Sequence, residues 1–133
     1  MIRELKLCDY DLITNLGLLI TSNFSTDKIS NNETILVYEI NGKIVGFIEY
    51  LKNYETIDII NIAVLDEFRR DGIGSKFIDY LIENNDIEHI MLEVRKSNEI
   101  AIKFYEKNGF KVLREIKGYY GNEDALSMEK VIK

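Results

Sequence analysis

Between residues 57 and 84 the chain changes from strand period to helix period across a glycine-bearing turn. No other feature restricts the fold as much. Ile57-Asp58-Ile59-Ile60-Asn61-Ile62-Ala63-Val64 is an apolar run of strand length. After Arg69-Arg70-Asp71-Gly72-Ile73-Gly74, the residues Ile73, Phe77, Tyr80 and Leu81 recur at helical spacing. A strand feeding a helix through such a turn gathers unpaired backbone N–H groups and the positive end of a helix dipole at one spot, which suits an anion. Gly72 and Gly74 let a phosphate come close to the backbone, and Arg69 and Arg70 add charge to neutralise a diphosphate. The stretch reads as the cradle of a phosphate-bearing cofactor.

The remaining pattern builds a sheet around this unit. Leu12, Ile13, Leu16, Leu19 and Ile20 predict a helix over 8–23, followed by a polar loop from Ser22 to Thr34. Ile35–Ile40 and Lys43–Leu51 are strands joined by Asn41-Gly42, a strong hairpin signal, and Lys52–Glu55 reads as a polar connection. Ile87–Arg95 is a further strand. A helix capped by Ser97 or Asn98 then carries Ile100, Ala101, Phe104 and Tyr105 on one side and ends at Gly109. Phe110–Ile116 and Ala125–Val131 close the sheet around a Tyr-Tyr-Gly-Asn loop. This order predicts an α/β (α+β) fold: one domain over residues 1–133, with a single mixed, mostly antiparallel sheet and helices on both faces.

Charge and cysteine usage narrow the function classes. A net charge of −6 argues against nucleic acid as a partner, since phosphate backbones need a basic face, and is compatible with a cationic substrate. No run approaches the roughly 20 apolar residues of a membrane span, and the first residues lack the apolar core of a signal peptide. The one cysteine, Cys8, excludes an internal disulfide, fits a reducing cytoplasm and reads as structural. With one cysteine and one histidine, His89, which also reads as structural, no metal site is expected.

Three blocks in order carry a family likeness. Arg69-Arg70-Asp71-Gly72-Ile73-Gly74 resembles the R/Q-x-x-G-x-G/A signature of the GNAT superfamily of N-acetyltransferases, which hold acetyl-CoA. Asn61-Ile62-Ala63-Val64 stands where that family's cofactor-binding strand belongs. The run from Leu92-Glu93-Val94-Arg95 through Asn98 to Tyr105-Glu106-Lys107-Asn108-Gly109-Phe110 is similar to its second motif. Within the superfamily the likeness is greatest to the bacterial ribosomal-protein-alanine N-acetyltransferases, and Gly118–Ala125 resembles their Y-Y…E-D-A segment.

The resemblance implies roles for individual residues. Backbone groups of Ile62, Ala63 and Val64 would pair with the pantetheine arm. The loop of Arg69, Arg70, Asp71, Gly72, Ile73, Gly74 and Ser75 would receive the pyrophosphate, with the Asp71 side chain turned to solvent, and Asn98 would hydrogen-bond the cofactor. Glu93 matches the proton acceptor and Tyr105 the proton donor to the departing sulfur. The implied co-substrate is acetyl-CoA, and the implied acceptor an amine, most of all a protein or peptide N-terminus. No metal, nucleic acid or membrane is implied, and the chain is expected to act as a monomer or weak dimer.

Elementary chemistry favours an N-terminal acceptor. An α-amine with a pKa of about 7.7–8.0 is roughly a tenth to a fifth neutral at pH 7, whereas a lysine near 10.4 is neutral to only about 0.04%, a handicap of roughly 3.5 kcal/mol. One carboxylate acting through water suffices more easily for the first. From the residues alone, Glu93 is either that base or a surface partner of Arg95 or Lys96. Tyr105 is either the acid or core packing. Tyr119 and Tyr120 either close the core or wall the acceptor pocket. A small amine remains the alternative acceptor, and a binding module without turnover the alternative class.

Overall fold

The structure is a computed structural model that describes residues 1–5 and 33–133. The predicted helix over 8–23, most of the loop after it and Cys8 lie outside the described residues. The described strands are β1 (Ile2–Glu4), β2 (Glu33–Ile40), β3 (Lys43–Asn53), β4 (Thr56–Val64), β5 (His89–Arg95), β6 (Lys111–Ile116) and β7 (Ala125–Val131). They form one sheet in the order β1-β2-β3-β4-β5-β7-β6, in which β4 and β5 are parallel and every other neighbour is antiparallel. Helix α1 (Ile73–Asn84) makes the β4-to-β5 crossover that a parallel pair requires, and α2 (Glu99–Lys107) lies between β5 and β6.

Local chemistry explains most of these boundaries. Asn41 and Gly42 have φ of 51° and 80°, the positive pair that a two-residue hairpin needs. The predicted connection Lys52–Glu55 is tighter than expected: both strands continue to Asn53 and Thr56 and close on Tyr54-Glu55, with Tyr54 at φ 57°. No Asn-Gly or Asp-Gly marks that turn, so its composition resembles a longer loop. The edge strand β1 is also additional to the prediction. It is three residues long and rests on pairing with β2, Ile2 opposite Tyr38.

Alternation along the strands separates two faces. Leu36, Ile48, Tyr50, Ile57, Ile59, Ile90, Leu92, Val94 and Met128 point to one side, where Ile73, Phe77, Ile78 and Leu81 of α1 and Tyr105 of α2 complete the larger core cluster. Both described helices therefore cover the same face. The buried side of α2 runs through Ala101, Ile102, Phe104 and Tyr105, whereas Ile100, expected on that stripe, is 79% exposed. The smaller cluster of Ile35, Val37, Ile44, Phe47 and Ala63 lies on the opposite face.

Candidate active site

The sheet splits beside its parallel pair. β4 and β5 pair at Thr56 with His89, Ile57 with Ile90 and Asp58 with Met91, and pairing stops there. On its other edge β4 stays bound to β3 as far as Val64 opposite Gly46, while β5 stays bound to β7 as far as Arg95 opposite Ala125. The divergence has a local cause. Glu49 pairs with Asn61 but Tyr50 with Ile59, so Ile60 is the extra residue of a bulge, which bends and twists a strand. Leu65 N–H donates to Val45 O at 2.8 Å and fixes the alternation beyond the bulge. Ala63 thus turns its backbone groups toward β3, while Ile62 and Val64 turn theirs into the gap. An unpaired strand edge inside a sheet is a template for an extended ligand.

At the far end of the gap a 3-10 turn over Asp66–Asp71 leads into α1 through Gly72, whose φ of 74° is left-handed. No side chain caps this helix and its first turn holds no acid. The bond from Lys76 N–H to Gly72 O, 3.0 Å, opens the intrahelical ladder, so the preceding N–H groups point outward without helical partners. A Cβ on Gly72 would meet nothing within 4 Å, whereas one on Gly74 would lie 2.7 Å from Cζ of Phe104. The two glycines therefore do different work. Gly72 supplies the turn and an open approach to the helix end, while Gly74 lets α1 sit against α2.

The two arginines also separate. Arg69 is folded back: Nη2 lies 3.0 Å from Asp66 Oδ1 and Nε donates to Val64 O at 3.3 Å. Arg70 is exposed and has no ion pair among the described residues, and Asp71 is likewise exposed, in line with the expectation that its side chain turns to solvent. Asn98 caps α2, its Oδ1 accepting from Ala101 N–H at 3.2 Å, which leaves its Nδ2 as a donor. Ser75, in the first turn of α1, is half-buried.

Glu93 stands on the sheet face away from both helices. Ile90, Leu92 and Val94 point into the core, so Met91, Glu93 and Arg95 point the other way. Glu93 is solvent-facing, as its surface reading expects, but the partners expected for it are engaged elsewhere. Arg95 Nη1 lies 3.3 Å from Glu123 Oε1, and Lys96 Nζ lies 3.0 Å from Glu115 Oε1. Partial burial, and secondly the charge of Asp58, hold the Glu93 carboxyl above the usual glutamate range, while Arg114 opposes them. A raised carboxyl is a better base.

Polar groups surround it on that face. Burial raises Asp58, which ends the parallel ladder. Glu49, 4% exposed, accepts from Asn61 Nδ2 at 2.8 Å and is also raised by burial. Ser127, 4% exposed, is the cross-strand neighbour of Glu93. Glu49, Asn61, Asp58 and Ser127 were not predicted as site residues. The signal for two of them was present in the sequence, as single carboxylates at positions 49 and 58 inside apolar strands.

The β6–β7 loop is latched onto this end of β5. Glu123 Oε2 accepts from Ser97 N–H at 2.9 Å while its other oxygen pairs with Arg95, whose guanidinium lies 4.2 Å from the Tyr120 ring centre. Asp124 Oδ1 closes the loop on Gly118 N–H at 2.8 Å. Tyr119 and Tyr120 meet edge to face, 4.9 Å between centres. Tyr119 is 51% exposed and so does not close the core, and burial and then the Glu93 charge raise its phenol.

Tyr105 lies on the opposite face of β5 from Glu93, 7% exposed, its ring edge-on to Phe104 at 5.3 Å and Phe110 at 5.5 Å. Burial, and then the nearby Tyr120, push its phenol far above the ordinary tyrosine value. It stays protonated at neutral pH, and of the two sequence readings the packing one is seen here: Tyr105 belongs to the larger core cluster. Burial, and then Tyr119, raise the Tyr120 phenol, with a smaller contribution from Glu93. His89 rests beside Glu129, Nδ1 to Oε2 3.4 Å, at the start of β5. Among the described residues no cluster is arranged to hold a metal.

Residues 3–110 match the Acetyltransferase (GNAT) family. An N-alpha-acetyltransferase of Sulfurisphaera tokodaii is 33% identical, covering 96% of this chain and 90% of its own length. N-alpha-acetyltransferase 20 of Dictyostelium discoideum is 37% identical over 71% of this chain, which spans 60% of that protein. The crystal structure of the ribosomal-protein-S18-alanine N-acetyltransferase of Escherichia coli superposes with a TM-score of 0.84 at 25% identity, covering all of this chain and 94% of that one. An aminoglycoside 6'-N-acetyltransferase complexed with coenzyme A shares the fold, with a TM-score of 0.85 at 17% identity, covering all of this chain and 97% of that one.

Proposed function

This chain belongs to the GNAT family of acetyltransferases, and from that premise we propose that it moves acetyl from acetyl-CoA to the α-amine of a protein or peptide N-terminus by direct transfer in a ternary complex. The observation that carries the reading is the split between β4 and β5, with a carboxylate beside it, Glu93, that makes no ion pair among the described residues. The split offers the backbone groups of Ile62 and Val64 to an extended arm, and the uncapped start of α1 at Gly72, Ile73, Gly74 and Ser75 offers N–H groups to a diphosphate. Arg70 and Asn98 Nδ2 stand ready as further donors, while Arg69 braces the turn.

Bound acetyl-CoA supplies an activated acyl thioester. The chain does the rest by placement and proton handling. The acceptor nitrogen bonds to the acyl carbon as the carbon–sulfur bond breaks, and one N–H proton goes to Glu93. On the other side of β5, Tyr105 is the residue we assign to the departing sulfur. Its raised phenol makes complete proton transfer costlier than the roughly 2 kcal/mol expected at ordinary values, so its main contribution is a hydrogen bond to the developing thiolate. The Val64 N–H, turned into the gap, is the group we assign to polarise the acyl oxygen.

Carboxylates at 49, 58 and 93 on one face also suit a small polyamine, the second reading. Mass spectrometry of products from a panel of peptides and amines distinguishes the two. Acetyl on peptide α-amines, abolished by Glu93→Gln, supports the N-terminal reading, and acetyl confined to polyamines contradicts it. We place the enzyme in the cytoplasm on its single cysteine; among the described residues no helix is long and apolar enough to cross a membrane.

A further inference from the structure

Ser127 is one of two buried polar residues among the described ones, the other being Glu49. It lies on β7 directly opposite Glu93 of β5 and on its other side pairs with Arg114 of β6. Cross-strand partners share a face, with Cβ atoms about 4.5–5.5 Å apart. Ser127 is 4% exposed, yet its hydroxyl makes no hydrogen bond among the described residues and is not among the sealed, unpartnered atoms of the interior. A buried hydroxyl without a partner costs stability, so such a group needs a ligand or a water. The groups around it are Glu93, with Asp58 and Arg114 acting on that carboxylate and Tyr119 and Tyr120 beside it.

We infer that Ser127 is a positioning residue that holds, together with Glu93, the water through which the acceptor amine loses its proton. No direct bond joins the two side chains among the described residues, and neighbours across a strand pair are close enough to share one bridging water. The hydroxyl and the carboxylate fix that water, leaving one lone pair for the incoming N–H. The amine gives one proton to the water and the water gives one to Glu93. Each O–H bond formed matches one bond broken, with no further reactant. This rests on the reading of Glu93 as the base.

The test is a double-mutant cycle of Ser127→Ala and Glu93→Gln in the full chain, with a peptide N-terminus as acceptor and saturating acetyl-CoA. Ser127→Ala is expected to lower kcat about tenfold, with the KM for acetyl-CoA within about twofold of wild type and Ser127→Thr recovering most of the loss. In the Glu93→Gln background the same alanine is expected to cost nothing further, because the water has lost its acceptor. An unchanged kcat for Ser127→Ala, or an equal additional loss in the Glu93→Gln background, overturns the inference. Wild type that acetylates no amine overturns the underlying reading as well, which separates the two failures.

Discussion

The Cβ that Gly74 lacks would lie 2.7 Å from Cζ and 2.8 Å from Cε1 of Phe104. The second glycine of the turn therefore sets how close α1 comes to α2. Gly74→Ala is expected to destabilise the fold by about 1–3 kcal/mol, with Phe104→Leu restoring part of the loss. Gly72→Ala meets no neighbour but must hold φ near 74°, which costs about 1–2 kcal/mol. Denaturant titration of the three variants checks both, and an unaffected Gly74→Ala would place the helices further apart than described.

Asp58 and Glu93 face the same side at the mouth of the split, and the Asp58 charge opposes ionisation of Glu93. Removing that charge with Asp58→Asn lowers the Glu93 pKa, so the acidic limb of kcat/KM against pH moves to lower pH. Arg114, which acts in the opposite direction, gives the reverse shift as Arg114→Gln. A limb that stays in place in both variants would assign it to another group.

Tyr105→Phe removes a buried phenol whose ring packs on Phe104 and Phe110. Turnover is expected to fall roughly 10²-fold with the KM for acetyl-CoA nearly constant. Melting temperature should scarcely move, since the Phe104 and Phe110 contacts persist. Unchanged turnover would leave Tyr105 with packing alone.

Glu49 is buried, and its carboxyl is held above the ordinary value of 4.5 chiefly by burial. A carboxyl raised by folding favours the native state below 4.5 and loses that contribution as pH rises through the folded value. At pH 7 the ionised group costs stability, so Glu49→Gln, which keeps the Asn61 bond, is expected to raise stability by about 1 kcal/mol. The gain should shrink toward pH 4.5, and equal melting temperatures at both pH values would contradict it.

Much of this was legible in the sequence because it rests on local rules. Periodicity placed both described helices, Asn41-Gly42 placed the hairpin, and Gly109, at φ 91°, ends α2 as a left-handed residue. Nonlocal relations were not legible. The bulge at Ile60 arises only when β3 and β4 are laid side by side, and so does the choice of Ile62 and Val64 as the residues facing the gap. Arg69 was assigned to a phosphate because its neighbours fit that pattern, yet its guanidinium closes on Asp66 and Val64 O. Glu123 stood in a motif without a role until Ser97 N–H and Arg95 met its two oxygens.

Amide hydrogen exchange followed by NMR, with and without acetyl-CoA, tests most directly whether the gap between β4 and β5 receives the cofactor. The account predicts new protection at the amides of Ile62 and Val64 and at Gly72 to Ser75, with Ala63, already turned to β3, unchanged. Binding that protects none of these, or protects Ala63 in place of its neighbours, would contradict it.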